Sequence, residues 1–469
     1  MEGRRTACRC VSRRNGFDDE PAPVSLTLPP RARLQYSTEG AGSASPPGTR
    51  QDPALVVPLR LDPEQRFSCS QCGRCCSRWE ILVSQAEVES FHRRDAARWF
   101  RERADVPEGA ARDPFEPAPE WRGFYRIRKR DDGACGFLSP ENRCRLHEEL
   151  GGGRKPFTCR LFPYSFHPTP GAVIVKTSFG CPSVVANQGE RIAAGVPLEE
   201  VKALHADWFA GHRYAAAPRV YVAGRSIDAD SLRILRESLL HMLQRAEDGG
   251  TRDLRTNMLR MARALEDLTR NRVVRLPDAD FAEYLALTTR LAASSSHTVA
   301  RRQPTLVGRL LQHGFLYVVA ATRLRIENRG ASRFWLRLAM LRLLAHCHRL
   351  APGFSRIDVT ALRRERVDVN APEIQPIVHH YVRASIESLG ASERPVIDEF
   401  AIAVSYLNAA GALAVMNAKA SGRPVDRATF SDALMEAVDL AHSDDRGLLG
   451  RILGLFAGGV EALYVFGRP

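Results

Sequence analysis

The stretch Phe67-Ser68-Cys69-Ser70-Gln71-Cys72-Gly73-Arg74-Cys75-Cys76-Ser77-Arg78-Trp79 sets four cysteines within eight positions. Further cysteines follow at Cys135, Cys144, Cys159 and Cys181, so eight of the chain's 11 lie within residues 69–181. A chain of 469 residues with 44% hydrophobic residues can bury its cores without covalent staples. Disulfide frameworks belong to small secreted domains, so a cysteine set confined to one part of a large chain reads as metal ligation in a reducing compartment.

The spacing supports that chemistry. In Cys69-x-x-Cys72-x-x-Cys75 the two-residue spacer lets the chain turn back so that successive thiolates converge, and Gly73 supplies the positive φ such a turn needs. A tetrahedral metal ion or a cubane iron–sulfur cluster takes four sulfur contacts. Cys76 is a poor fourth ligand beside Cys75, because adjacent side chains ordinarily point apart, and it is expected to serve another site or to pack. The distant cysteines complete the count, and Cys181-Pro182 has the Cys-Pro form that closes bacterial ferredoxin motifs. Eight thiolates suffice for two four-sulfur sites or for one site plus structural thiols. His147 and His167 lie among these ligands and read as ordinary helix-end and hairpin histidines. Cys347, between His346 and His348 on an apolar helix, reads as a buried structural cysteine.

Several function classes find no support. The net charge of +13 is spread thinly, with no run of five or six consecutive basic residues, so a nucleic-acid-binding protein is only the second alternative reading, one that requires the arginines of the helical region to gather on one face. Neither an apolar leader after Met1 nor an uncharged apolar run of eighteen residues is present, and the expected location is cytoplasmic, with no membrane span. Phosphate-binding, dinucleotide-binding, zinc-protease and serine-hydrolase motifs are absent. The radical S-adenosylmethionine spacing fails because Trp79 stands where the third cysteine would be.

The fold class expected is α+β: a disordered tail over 1–52, a small metal-stapled cysteine-cluster domain of mixed strands and helices over 53–190, and a mainly α-helical domain over 197–469. Ser84-Gln85-Ala86-Glu87 is a capping box that starts a helix. Gly123–Arg128 alternates as a strand, with Ala134–Leu138 as its expected hairpin partner, and 106–120 is a proline-rich loop. A second hairpin joins Leu161–His167 to Ala172–Thr177. Helical periodicity follows at 231–240, 252–270, 279–294, 305–326, 334–341, 373–388, 395–419 and 428–442, with an apolar terminal helix over 448–466. Cys8 and Cys10 fall in the tail and read as exposed thiols.

Taken in order, Phe67-x-Cys69-x-x-Cys72-Gly73-x-Cys75-Cys76, Cys135-x-Phe137-Leu138, Cys144-x-x-His147, Lys155-Pro156-x-x-Cys159-Arg160-x-Phe162-Pro163 and Cys181-Pro182 resemble the YkgJ-type cysteine-cluster proteins. The resemblance covers roughly residues 66–185 and implies a CxxCxxCC zinc- or iron-chelating domain. The implied metal ligands are Cys69, Cys72, Cys75, Cys76, Cys135, Cys144, Cys159 and Cys181, holding an iron–sulfur cluster (4Fe-4S) or zinc. The same domain occurs in flagellin lysine N-methylases, so the alternative implied is an S-adenosylmethionine-dependent methyltransferase acting on flagellin. No methyl-donor site is recognisable, and under the first reading the helical domain is expected to bind a protein partner.

Overall fold

The computed structural model of the chain describes residues 58–103, 113–211 except 120, 122, 140 and 142, 219–245 except 223, 253–270, 276–294, and 367–442 except 393. The expected tail, the helices near 305–326, 334–341 and 448–466, and Cys8, Cys10 and Cys347 lie outside the described residues.

The cysteine-bearing part is an assembly of short elements. β1 (Leu59–Arg60) runs parallel to β7 (Ala172–Thr177), which pairs antiparallel with β6 (Tyr164–Thr169) in the hairpin expected from sequence, with Tyr164 opposite Thr177. β2 (Arg66–Phe67) pairs with β8 (Glu190–Arg191), which brings the approach to Cys69 beside the segment that follows Cys181. β3 (Leu82–Ser84) leads into α2 (Gln85–Arg93) through the capping box: the Ser84 Oγ accepts from the Glu87 amide, and the Glu87 carboxylate accepts from the Ser84 amide at 2.9 Å. Val88 and Phe91, one turn apart, point α2 into the core.

Two expectations about strands need correction. β5 (Phe124–Ile127) is the centre of a sheet with β3 on one side and β4 (Phe115–Pro117) on the other, so a strand lies inside the segment read as loop. Residues 134–138 return only past the end of β5: Lys129 and Cys135 form an isolated antiparallel bridge, flanked by the Arg130 amide on the Ala134 carbonyl (2.7 Å) and the Gly136 amide on the Arg128 carbonyl (3.0 Å), and the Cys135 amide donates to the Cys76 carbonyl at 3.0 Å. One amide of this segment ties down the cysteine helix, and β5 itself finds its hydrogen bonds in β3 and β4, whose short runs give little sequence signal.

From α7 (Gly195–Gly211) and the β9 (Val220–Val222)–β10 (Arg225–Ile227) hairpin onward the chain is helical. α8 (Ala229–Gln244) buries Leu232, Leu235, Leu239, Met242 and Leu243 on one stripe, and the opposite face carries an Arg233–Glu237 pair at 3.1 Å. α9 (Leu254–Arg270), α10 (Asp278–Ser294), α11 (Gln375–Glu387), α12 (Val396–Ser421) and α13 (Arg427–His442) fall within a few residues of the predicted spans. α12 is long and apolar enough to cross a bilayer by length and composition, but 67% of its apolar window is buried inside the fold, as expected of a core helix.

The two parts share a core. Phe179, Cys181, Val184 and Val185, at the start of α6 (Pro182–Val185), pack with Leu232, Val378, Phe400 and Leu434 of the helices. Polar seams reinforce the junction: Asp62 and Arg383, both under 10% exposed, pair at 3.0 Å, and the buried His380 ring donates from Nε2 to the Val184 carbonyl at 3.0 Å. Arg74 and Arg78, on α1 (Arg74–Arg78), both reach Asp439 of α13, Arg74 at 2.7 Å.

Candidate metal centre

The first cysteines are aimed by two left-handed residues. Gln71 (φ 53°) and Gly73 (φ 71°) reverse the chain after Cys69, and Gly73 caps α1, the five-residue helix that carries Cys75 and Cys76. Cys69 and Cys72 are consequently exposed, whereas Cys75 and Cys76 are half-buried. The Cys76 carbonyl accepts from both the Cys135 amide and the Lys129 Nζ (2.7 Å), tying α1 to the following loop. Gly136, next to Cys135, passes so close to Phe100 that a Cβ there would stand 2.0 Å from the ring, and Cys135 is thereby pressed into the core beside Phe137.

Cys144 opens α4 (Arg145–Leu150), and Leu138 bridges to it across the loop. Cys159 lies on α5 (Phe157–Leu161), held against β3 and α2 because Thr158 donates to the Leu82 carbonyl at 2.6 Å and the Phe157 amide to Glu87 at 2.7 Å. The Trp79 and Phe162 rings meet edge to face at 4.2 Å, closing the span between α1 and α5. Cys181 precedes α6, in the shared core. All eight cysteines expected as ligands are free thiols.

Their electrostatics define an inner group of four. Cys75 and Cys76 sulfurs stand 3.9 Å apart, so the expectation that neighbours point away does not hold on this one-and-a-half-turn helix. The two thiols share a side-chain hydrogen bond, which lowers the Cys75 pKa to about 6 and pushes Cys76 up. Burial pushes Cys135 up to about 12 and Cys159 well above the ordinary thiol value. Every pair among Cys75, Cys76, Cys135 and Cys159 is close enough for electrostatic influence. Cys144, also raised by burial, feels Cys69 and acts on Cys135 and Cys159 of the inner group, and Cys181, raised to about 11 by burial, feels Cys72 and Cys75.

Residues 68–183 match the family model CxxCxxCC, “Putative zinc- or iron-chelating domain”. The CxxCxxCC domain is therefore present in this chain, and it spans every cysteine of the group. The comparisons with curated proteins and with solved structures return no match.

The donor set of the CxxCxxCC domain fits a chelated metal. Its separation of 3.9 Å between Cys75 and Cys76 is near the edge of a tetrahedron of sulfurs about 2.3 Å from one ion, which is about 3.8 Å. Buried thiols with raised pKa are stored protons that a metal displaces on binding. Two lysines that sequence reasoning passed over offset the resulting charge. Lys129 is bonded at Cys76, and Lys155 lowers the pKa of Cys75, Cys144 and Cys159. Lys155 stood in the Lys-Pro motif and could have been found there; Lys129 follows a strand and carries no motif signal. Among the described residues, no three His, Cys, Asp or Glu side chains are already set in metal-holding positions, so the thiols would reorient to chelate.

His147 lies on α4 with its Nδ1 buried and without a hydrogen-bond partner among the described residues, one turn after Cys144. His167 instead faces a cavity behind the β6–β7 hairpin, hydrogen-bonded to Ser165 at 2.9 Å.

Proposed function

We propose that this chain is a metal-chelating protein in which Cys75, Cys76, Cys135 and Cys159 form one four-thiolate site. The 3.9 Å approach of the Cys75 and Cys76 sulfurs inside a matched zinc- or iron-chelating domain is the observation that carries the reading, and the electrostatic influence of Cys135 and Cys159 on this pair supports it. Cys69, Cys72, Cys144 and Cys181 border it and supply the thiolates for a second four-sulfur set. Zinc is favoured over a cubane iron–sulfur cluster at the inner group, because the short Cys75–Cys76 separation suits two ligands on one ion, whereas each iron of a cubane takes its own cysteine.

Full cysteine ligation leaves no open position, so bound zinc would supply structural stability and a bound cluster would supply electron transfer. The chain's own part is to bury or half-bury the inner thiols and to place Lys129 and Lys155 against their charge. A reducing compartment such as the cytoplasm suits eight free thiols.

Anaerobic purification followed by metal analysis and visible absorption tests the proposal. Colourless protein containing zinc, lost on Cys76→Ser, is the expected result. Brown protein containing iron and lost by the same substitution would keep the chelation and replace the metal; folded protein that takes up neither would overturn the proposal.

A further inference from the structure

Behind the β6–β7 hairpin, away from its packed face, lies a cavity of about 630 Å³ enclosed by α11 and α12. Strand alternation decides what lines it. Phe166, Val173 and Val175 point to the other side of the hairpin, where they pack on Val201 and Leu204 of α7. Ser165, His167, Ile174 and Lys176 share the opposite face, since Ser165 pairs with Lys176 and His167 with Ile174 across the hairpin. Of the polar side chains on that face, Ser165 is exposed while His167 and Lys176 are half-buried against the cavity. The remaining wall mixes apolar Ile402 and Ala403 with Tyr406, Glu399 and, at the exposed rim, Arg394.

The balance of occupied and open groups chooses the ligand. Each carboxylate of the wall already holds a partner: Asp62 pairs with Arg383 at 3.0 Å, Glu387 with Arg60 at 2.8 Å, and Glu399 accepts from the Gly390 amide and from Ser392. The cationic side is open. Among the described residues, neither the Lys176 ammonium nor the Arg394 guanidinium has a hydrogen-bond or ion-pair partner within contact distance. Lys176 is half-buried, and burial lowers its pKa, with Glu399 pulling it partly back. An amine so placed, with no anion on it, is stabilised by whatever anion enters.

We propose that this cavity binds a small organic anion, a carboxylate or a phosphate on an apolar body, with the anion on Lys176 and Arg394 and the body against Ile174, Ile402 and Tyr406. The volume suits a metabolite-sized molecule. Ser178 and Phe179 continue the same wall towards Cys181, so an occupant would sit beside the last cysteine of the CxxCxxCC domain without depending on the metal.

Calorimetric titration of the full chain with benzoate, phenyl phosphate and benzylamine tests the site. At least one of the two anions is expected to bind saturably, with benzylamine bound much more weakly; which anion is preferred separates a carboxylate from a phosphate source. Lys176→Met should weaken the anion roughly tenfold or more, the loss of one charge-assisted contact, with far-UV circular dichroism unchanged. Should that variant not fold, Arg394→Gln at the exposed rim carries the test with a severalfold loss. As an independent readout, Lys176 should react with trinitrobenzenesulfonate at mildly alkaline pH and be protected by the bound anion. Equal affinity in wild type and both variants, benzylamine binding as tightly as the anions, or no saturation by either anion in the millimolar range would overturn the proposal.

Discussion

The cysteine-bearing part and the helical part bury themselves by different means. The helical core is a continuous apolar mass in which Leu235, Leu239, Leu265, Phe400, Leu413 and Leu434 are essentially inaccessible, and Cys181, its one cysteine among the described residues, sits at its edge. The core around α2, β5 and Phe137 is smaller, and Cys135, Cys76, Cys144 and Cys159 are part of its packing. Hydrocarbon fills both interiors, but in the smaller one thiols, whose strongest available bond is to a metal, take part in the closure. The difference teaches that the shared junction at Asp62–Arg383 and α6 joins a core closed without thiol ligands to one whose packing includes them, where chelation at the proposed site would add stability.

The largest effect is expected from the thiols. In metal-replete protein, Cys135→Ser should empty the inner site and remove much of the roughly 10–16 kcal/mol that structural zinc can contribute. Hydrogen exchange should then accelerate across α1, β5 and α5 while α8 and α12 stay protected. Unchanged metal content, or equal acceleration in both parts, would break the contrast. At the junction, Arg383→Met strands the buried Asp62 carboxylate and should cost about 3–5 kcal/mol in chemical denaturation. Within the helical core, Leu235→Ala should cost about 2–5 kcal/mol, equally with and without a chelator. A chelator-dependent cost would mean that this core is not closed by hydrocarbon alone.

Alkaline stability sharpens the same comparison. Burial raises Cys135 from 9.0 to about 12 and Cys181 to about 11, so the folded state keeps protons that the unfolded chain releases. This contribution is fully present below pH 9 and is lost as pH rises through the folded values, so metal-free protein should weaken between about pH 9 and 12. Metal-loaded protein, whose thiolates are already ligated, should show a flatter profile in that window, and identical profiles would argue against these thiols as ligands. The smallest effect is local: Ser84→Ala removes the capping box of α2 and should cost about 1 kcal/mol.

Much of the helical part was legible because its signals are local. Spacing of apolar residues at three and four predicted α8, α9 and α11 to within a few residues, and Ser84 with Glu87 marked the start of α2. The sheet around β5 was not legible: Phe115–Pro117 and Leu82–Ser84 are three residues each, too short to show a period, and their pairing with β5 is non-local. The candidate site was half legible. Spacing and motif order picked out all eight cysteines as candidate ligands, but the grouping of Cys76 with Cys75 ran against the rule for neighbours. Lys176 and Glu399 have no motif around them, and only the meeting of β7 with α12 brings them to one cavity.

By itself, then, the sequence determined the residue chemistry of this protein: a run of thiols too dense for a disulfide framework in so long a chain, a turn that needs Gly73, and amphipathic stripes that had to become helices. Those properties are carried by residues near one another in the chain. Tertiary structure alone decided which sulfurs approach one another, that Lys129 and Lys155 stand over them, and that Asp62 meets Arg383 across the junction. Such contacts join residues tens to hundreds of positions apart, and no local pattern encodes a distance that the packing of cores sets.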